Sequence, residues 1–195
     1  MRRESLTREE FNTLFYKIKK SYAEEPVPDV VQSPEELWWV YAKVYSIRPK
    51  VILEIGTANG GTAKFWEKTL DSDGLLVTAD IRVHLRDEYN FCDFSDAVSE
   101  LHILENFDSQ NPNSVEIIRR ILGTGAVDFL YIDAAHSYEG LKIDYEFWTP
   151  LVRSGGLVGF HDTNHPPIKQ LLLEKGHPNL KFIDHGFGTG LIEGW

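Results

Sequence analysis

Five short apolar runs recur about every 25 residues from position 51 onward, and they constrain the fold more than any other feature of the chain. The runs are VILEIG (51–56), GLLVTAD (74–80), LHIL (101–104), VDFLYID (127–133) and GLVGFHD (156–162). Segments with helical apolar spacing lie between most of them, such as SVEIIRRIL after the third run. Apolar strands separated by helices are typical of a parallel sheet covered on both faces. We therefore expect an α/β fold whose ligands bind beyond the carboxyl ends of the strands.

Two amphipathic helices are predicted ahead of the first strand. Phe11, Phe15 and Ile18 follow the spacing of a helix that buries one face. The sequence SPEE predicts the start of a second helix, in which Ser33 caps the first turn and Glu36 completes a capping box. The chain shows no repeat or linker, so we predict one domain over residues 1–195.

Within this domain, residues 1–49 would form the N-terminal helices and residues 50–195 the α/β core. Trp38 and Trp39 cannot both lie on the buried face of the second helix, and two interpretations stay open. They cover the surface of the domain itself, or they form a dimer interface or a lid over a substrate. A homo-oligomer through the N-terminal helices is therefore a candidate assembly.

Composition excludes several classes of partner. The chain carries 20 Lys and Arg against 30 Asp and Glu, a formal net charge of −10, which opposes attraction to nucleic acid. The single cysteine, Cys92, allows no internal disulfide, and the N-terminus lacks the apolar core of a secretion signal. No window holds the roughly 20 apolar residues that cross a bilayer. We expect a soluble cytoplasmic protein with no nucleic acid or membrane partner.

A glycine-rich turn follows the first apolar run, and an acid closes the second. The turn reads LEIGTANGGT, and Asp80 lies 20 residues after Gly60. Glycines let the backbone approach a ligand closely, and an acid at this strand end accepts both hydroxyls of a ribose. The turn lacks the dinucleotide fingerprint and the Gly-Lys-Ser/Thr ending of a phosphate loop. Glu54 would repel a pyrophosphate but suits an ammonium group, which favours S-adenosylmethionine as the cofactor.

Three segments resemble class I S-adenosylmethionine-dependent methyltransferases: LEIGTANGGT, the run DFLYIDAAHSYEGLKIDYEFWTPLVRSGGLVGFHDTN and the closing HGFGTGLIEGW. The most similar group includes cephalosporin hydroxylase-like proteins and sugar or natural-product O-methyltransferases. The resemblance spans about residues 50–195. It implies a Rossmann-like, doubly wound, seven-stranded sheet that is mostly parallel with an antiparallel last strand. LKFID (180–184) and TGLIEG (189–194) would form the final strand pair.

The resemblance also assigns candidate contacts to the cofactor. It implies that the glycine turn holds the methionine part, that Asp80 binds the ribose, and that Asp108 and Ser109 lie near the adenine. Asp133 stands at the mouth of the same site. The candidate cofactor-binding residues are Glu54, Gly56, Thr57, Gly60, Gly61, Thr62, Asp80, Asp108, Ser109 and Asp133.

Two further acids end adjacent strands of the predicted sheet. Asp133 closes the fourth strand and Asp162 the fifth, so both carboxylates should converge above the glycine turn. Two neighbouring carboxylates raise each other's pKa, and a divalent cation such as Mg²⁺ would relieve this repulsion. Relatives with a clear metal site tend to carry an acid or Asn directly after the second Asp, whereas here Asn164 comes one residue later. His136 or His161 would complete the site and favour Mn²⁺, Fe²⁺ or Zn²⁺ over Mg²⁺.

The same two histidines are candidates for acid–base chemistry. His136 and His161 each lie within three residues of a strand-end acid. An imidazole at this place would take the proton from a substrate hydroxyl while Asp133 or Asp162 orients the ring. The predicted catalytic residues are His136, Asp133 and His161.

These observations predict an enzyme that methylates a small-molecule hydroxyl of a sugar, a phenol or a natural product, with or without a divalent metal. Segments 82–100 and 163–170, together with the two leading helices, would form walls of the acceptor pocket. Two alternatives remain. The first is a metal-dependent hydrolase or oxygenase on the same fold, and the second is a noncatalytic cofactor-binding module.

Overall fold

A computed structural model of the chain describes residues 4–20, 32–82, 100–123 and 125–195. Seven strands form a single sheet in this part of the chain. In chain order they are β1 (Val51–Ile55), β2 (Leu75–Ala79), β3 (Glu100–Leu104), β4 (Val127–Ile132), β5 (Val152–Phe160), β6 (Leu180–Ile183) and β7 (Thr189–Glu193). The helices are α1 (Arg8–Lys20), α2 (Pro34–Ile47), α3 (Gly61–Glu67), α4 (Pro112–Leu122), α5 (Tyr138–Trp148) and α6 (Pro166–Lys175), and a short 3-10 helix covers Thr149–Leu151.

The order of the strands across the sheet is β3-β2-β1-β4-β5-β7-β6. The pairs among β1 to β5 are parallel, whereas β7 runs antiparallel to both β5 and β6. The chain order reverses direction between β1 and β4, and the carboxyl ends of these two strands therefore border the crevice in which such sheets bind ligands. This confirms the predicted Rossmann-like sheet with its antiparallel last strand.

Successive residues of each central strand pack on opposite faces of the sheet. Ile52 and Phe129 belong to a hydrophobic cluster with residues of α1, α2 and α3. Their neighbours Leu53 and Leu130 belong to a second cluster with residues of α4, α5 and α6. Side chains that alternate between two helical layers explain why these strands are apolar at nearly every position. The sheet is doubly wound, as predicted.

The two N-terminal helices pack on one face of the sheet. Phe11 and Phe15 are fully buried in the cluster that also contains Ile52. The predicted capping box is present at the start of α2, where Glu36 N–H donates to the Ser33 hydroxyl and Ser33 N–H donates to the Glu36 carboxylate. This packing supports one domain over residues 1–195, which remains a prediction.

Trp38 packs against aromatic residues of the two N-terminal helices. Its ring stacks on Tyr41 with centroids 5.6 Å apart and meets Phe11 edge-on at 5.0 Å. Trp39 is also half-buried against the same cluster. These contacts support the interpretation in which both rings cover the domain itself, and an oligomer through α1 and α2 stays a prediction.

Strand β5 begins earlier than its apolar run indicates. The prediction started at 156, but the strand extends from Val152 through the sequence RSGG. Gly155 has φ +78°, and the pairing of β4 with β5 shifts register between Val127 and Phe129. The sequence RSGG is typical of a turn, because it combines polar residues with glycines. The irregular start of β5 could therefore not be predicted from the local sequence pattern.

Among the described residues, no helix combines the length and apolar composition needed to span a lipid bilayer.

Candidate active site

The turn after β1 is built around Gly56. This residue has φ +105°, and its N–H donates to Ala79 O at 2.8 Å, which joins the turn to the end of β2. A Cβ atom at position 56 would lie 2.1 Å from Asp133 O. Glycine is therefore required because the backbone after β4 passes directly against the turn. The glycine turn and Asp133 form one packed unit.

Asp80 follows β2 and orders the same turn from the other side. Its Oδ2 accepts the N–H of Ala58 at 2.8 Å, and its Oδ1 accepts the N–H of Arg82 at 2.9 Å. A carboxylate offers about four lone-pair sites, so two remain after these bonds. Those two sites fit the adjacent hydroxyls of a ribose, the role that the sequence predicts for Asp80.

A cavity of about 330 Å³ opens between the carboxyl ends of β1, β2 and β4. Its volume falls in the range of small-molecule sites. Four of the ten predicted cofactor-binding residues line it, namely Asp80, Asp108, Ser109 and Asp133, and His136 also lies in its wall. The remaining wall consists of Gln110 and seven apolar residues: Ile55, Ala58, Ala79, Ile81, Phe107, Ala134 and Ala135. An acid beside apolar side chains fits a nucleoside, with the ribose at the acid and the base on the apolar surface.

The loop after β3 forms the far side of this cavity. Asp108 Oδ1 accepts the N–H of Gln110 at 2.9 Å, which closes a tight turn. Phe107 is 6% exposed and packs against Trp148, with centroids 5.8 Å apart. Burial raises the pKa of Asp144 in α5 to about 6, although hydrogen bonds from Ser109 and Trp148 oppose the rise. Ser109 therefore lies close to the helix behind it.

The other six predicted cofactor residues lie outside the wall of this cavity. They are Glu54, Gly56, Thr57, Gly60, Gly61 and Thr62. Glu54 is 1% exposed; its carboxylate accepts from Trp66 Nε1 at 2.7 Å and from the Thr78 hydroxyl at 2.6 Å. The Thr57 hydroxyl bonds to the same Thr78. Glu54 belongs to a buried network beside the turn, and a direct contact to the cofactor stays a prediction.

Burial raises the pKa of Glu54 to about 8, and the hydrogen bonds from Thr78 and Trp66 oppose this only in part. In the unfolded chain the carboxyl titrates near 4.5. Between these two values the folded protein holds one proton more than the unfolded chain. The free energy of unfolding therefore falls as the pH rises through this window, by at most about 1.4 kcal/mol per pH unit.

Replacing Glu54 with glutamine is expected to remove this pH-dependent loss. The glutamine amide keeps an acceptor for Trp66 and carries no titrating group, so the variant should gain stability relative to wild type as the pH rises from about 5 to about 8. Denaturant unfolding at several pH values measures the difference. Stability curves that run parallel over the window would show that Glu54 is ionised in the folded protein.

The two strand-end acids meet where the sequence predicts, together with both histidines. His136 Nε2 lies 3.0 Å from Asp162 Oδ2 and 3.9 Å from Asp133 Oδ1. His161 Nδ1 lies 3.1 Å from Asp133 Oδ1 and 3.4 Å from Asp162 Oδ1. The imidazoles differ in environment, because the His136 side chain is 63% exposed and that of His161 only 1%.

Burial alone would lower the pKa of His161, but the charge and hydrogen bond of Asp133, followed by Asp162, raise it to about 10. Burial opposes the ionisation of Asp162, yet the hydrogen bond and charge of His161 outweigh it and lower the pKa of this acid. His161 thus supplies positive charge between the two carboxylates, the task for which the sequence suggested a metal. Asp162 also holds φ +57°, a strained value for a residue with a side chain.

Three side chains of this cluster have the ligand types and spacing of a divalent-cation site. One ligand atom each from Asp133, His136 and Asp162 lies within 4.8 Å of the others. Two carboxylates and an imidazole fit Mn²⁺, Fe²⁺ or Zn²⁺. The Asn164 amide is turned away and donates to Gly186 O at 3.2 Å. His161 bonds to the acids, and its other nitrogen, Nε2, is buried without a hydrogen bond among the described residues. A metal at Asp133 and Asp162 stays a prediction.

Gln32 is a residue of this site that sequence reasoning missed. It is 2% exposed, and its Nε2 donates to Asp133 Oδ2 at 3.0 Å. Its only local signal is its place directly before the capping box of α2. The two partners are 101 positions apart, so no spacing pattern joins them.

Of the predicted acceptor walls, residues 83–99 lie outside the described part of the chain, and Cys92 falls in that segment. The second wall, 163–170, lies next to the acids: Thr163 N–H donates to Gly188 O at 3.0 Å, and His165 precedes the first turn of α6. Phe187 is 54% exposed, and its ring centroid lies 6.1 Å from that of His161. An exposed aromatic ring therefore stands beside the histidine and acid cluster.

Comparisons with known proteins agree with this geometry. A family model described as a methyltransferase domain matches residues 53–163. No curated protein sequence matches the chain. A putative caffeoyl-CoA O-methyltransferase from Staphylococcus aureus superposes with a TM-score of 0.63 at 19% identity, over 94% of this chain and 92% of that one.

Two further structures share the fold. The O-methyltransferase TomG from Streptomyces achromogenes, involved in tomaymycin synthesis and bound to S-adenosylmethionine, gives a TM-score of 0.63 at 16% identity, over 93% of this chain and 89% of that one. A Podospora anserina methyltransferase bound to S-adenosylhomocysteine gives 0.64 at 15%, over 99% and 90%. Identities this low show a common fold only.

The family match covers more than half of the chain and contains the glycine turn, Asp80 and both strand-end acids. This chain therefore belongs to the methyltransferase domain family, as its resemblance to class I S-adenosylmethionine-dependent methyltransferases predicted.

Proposed function

We propose that this chain is an O-methyltransferase that methylates a hydroxyl oxygen of a small molecule with S-adenosylmethionine. One observation carries the proposal: His136, whose Nε2 lies 3.0 Å from Asp162 Oδ2, lines the same cavity as the ribose-binding candidate Asp80. A proton acceptor and a nucleoside pocket thus share one wall. Family membership favours this function over the hydrolase or oxygenase alternative.

Asp80 would hold the ribose hydroxyls, and Phe107, Asp108 and Ser109 would enclose the adenine. The cofactor supplies a methyl group that its sulfonium already activates. The main task of the protein is then to align the acceptor oxygen with that methyl group, which contributes on the order of 7 to 11 kcal/mol in well-oriented reactions.

His136 is the group that we assign to proton removal. Its Nε2 lies 3.0 Å from Asp162 Oδ2, so the proposed tautomer carries its proton on Nε2 beside this carboxylate and leaves the lone pair of Nδ1 for the acceptor hydroxyl. Asp162 orients the ring and stabilises the imidazolium that forms. His161 is buried and cannot reach an acceptor from solvent, so it serves to hold Asp133 and Asp162 in place.

A divalent cation is the alternative to His136 as the group that promotes loss of the acceptor proton. Asp133, His136 and Asp162 would hold it, and it would lower the pKa of an acceptor hydroxyl. Protein stripped with a chelator and then titrated with Mn²⁺ by calorimetry tests this alternative. Binding that disappears in Asp162→Asn supports the site, and methyl transfer that is unchanged by the chelator shows that the reaction proceeds without the metal.

Two measurements test the proposed function. S-adenosylhomocysteine at about a hundredfold excess over its Kd should raise the melting temperature by roughly 5 to 10 °C, whereas NAD should not. Labelled S-adenosylmethionine should then methylate at least one member of a panel of acceptors that includes 3,4-dihydroxybenzoate, simple phenols and hexoses. Absence of any stabilisation by S-adenosylhomocysteine would refute the cofactor, and stabilisation without transfer to the panel would favour the noncatalytic module.

Replacing Asp80 with asparagine is expected to weaken S-adenosylhomocysteine binding about 10- to 100-fold, because the ribose loses charge-assisted hydrogen bonds. The asparagine amide also faces one of the N–H groups of Ala58 and Arg82 that the carboxylate accepts, which loosens the turn. Asp73→Asn is the matched control, since Asp73 is exposed and pairs with Lys50. Equal affinity in wild type and Asp80→Asn would overturn the ribose assignment.

A further inference from the structure

Gln32 makes three polar contacts in a buried position. Its Nε2 donates to Asp133 Oδ2 at 3.0 Å and lies 3.5 Å from the Tyr131 hydroxyl. Its Oε1 accepts from the hydroxyl of Thr62 at 3.4 Å. A carboxylate only accepts hydrogen bonds, so Asp133 dictates which end of the amide faces it. The opposite end is then left to accept from Thr62.

These contacts join parts of the site that come from distant stretches of the chain. Thr62 lies in the first turn of α3, directly after the glycine turn, and Asp133 directly follows β4. Gln32 itself precedes α2, in the layer of N-terminal helices. One side chain therefore connects the turn on the cofactor side with the acid on the acceptor side.

The amide also determines how the Asp133 carboxylate is turned. Oδ2 is bonded to Gln32, and Oδ1 is thereby directed toward His161 Nδ1 at 3.1 Å and His136 Nε2 at 3.9 Å. Removing the donor would leave Oδ2 without its partner in a half-buried place. The carboxylate would then rotate toward other donors and draw Oδ1 away from the histidines.

We propose that Gln32 is a positioning residue, whose amide fixes Asp133 with Oδ1 toward the two histidines and ties this acid to the first turn of α3. The inference rests on the proposed function for its effect on methyl transfer. Its effect on the histidine rings is independent of any acceptor. A displacement of about 1 Å in such a site can cost on the order of a hundredfold in rate.

The test uses two variants of similar size in the full chain. Gln32→Met keeps the volume and loses every polar contact. Gln32→Glu keeps the acceptor for Thr62 but loses the donor and places a like charge beside Asp133. If the bond to Asp133 is the important one, the glutamate variant is impaired at least as much as the methionine variant; if only the Thr62 contact mattered, the glutamate variant would keep wild-type behaviour and the proposal would fall.

The first readout is the ¹⁵N NMR spectrum of the imidazoles, with His161 assigned through His161→Asn. We expect the His161 Nδ1 resonance to move in both Gln32 variants, because its acceptor is displaced. The second readout is methyl transfer to the acceptor that the panel identifies. We expect kcat to fall about 10- to 100-fold while the Kd of S-adenosylhomocysteine stays within about threefold.

Ser33→Ala is the control for general loosening of the N-terminal helices. It removes the cap of α2 and leaves the Gln32 amide in place, so the His161 resonance should stay where it is in wild type. Thr62→Val removes the hydroxyl that donates to Gln32 Oε1 and leaves the bond from Gln32 to Asp133. This variant should move the His161 resonance less than Gln32→Met does. Unchanged His161 resonances in Gln32→Met overturn the proposal. If the wild-type chain transfers no methyl group, the proposed function is refuted. The role of Gln32 in positioning Asp133 is still tested by the His161 resonances.

Discussion

Replacing His136 with glutamine is expected to lower methyl transfer about 10²- to 10⁴-fold, the usual contribution of a placed general base. Glutamine keeps a polar side chain of similar reach but has no basic nitrogen lone pair. The Kd of S-adenosylhomocysteine should change by less than about threefold, because the ring lies at the cavity wall and is largely exposed. Single-turnover kinetics with labelled S-adenosylmethionine separates the two quantities.

His102→Gln is the matched control for this variant. His102 lies on β3, at the edge of the sheet, and pairs with Glu100. The His102→Gln variant should keep the wild-type rate of methyl transfer and the wild-type affinity for S-adenosylhomocysteine. Turnover in His136→Gln equal to that of the control would eliminate His136 as the base. A loss of Mn²⁺ binding that parallels the loss of turnover would assign His136 to the metal.

Replacing Gly56 with alanine is expected to destabilise the fold by about 2 to 6 kcal/mol, the sum of backbone strain and overpacking. The residue sits at φ +105°, outside the region that L side chains adopt, and the new Cβ would lie 2.1 Å from Asp133 O. Neither backbone segment can yield without moving the end of β4. For a domain of this size, each kcal/mol corresponds to about 2 to 4 °C in melting temperature.

Gly123→Ala is the control that separates backbone strain from the steric clash. Gly123 has φ +80°, and a Cβ there would meet nothing within 4 Å. This control carries the strain of a positive φ without the collision, so its loss of stability should be clearly smaller. If both variants lose the same amount in calorimetry, the contact with Asp133 contributes nothing, and the glycine is needed for its φ alone.

The positions of Asp80, Asp133 and Asp162 could be predicted from the sequence because each is the last residue of one of the five runs. Once the runs are strands of a parallel sheet, their carboxyl ends lie along one edge, and the acids must meet there. The capping box at Ser33 and the final strand pair were equally predictable, since each depends on neighbours within a few residues.

The environments of the two histidines and of Glu54 could not be predicted from the sequence. The sequence treats His136 and His161 alike, as histidines near a strand-end acid, yet one side chain is exposed and the other is enclosed. Glu54 precedes the glycine turn like a ligand-binding acid, but Trp66 and Thr78 take both of its oxygens. In each case the outcome depends on which side chains fill the surrounding space.

By itself the sequence determined the order of strands and helices, the glycine turn and the edge of the sheet where the acids converge. These follow from local periodicity and from the chirality of strand–helix–strand connections. Only the tertiary structure decided that Gln32 bonds to an acid 101 positions away and that His161 lies between two carboxylates. The physical reason is that hydrogen bonds and burial depend on proximity in space, which spacing along a chain does not encode.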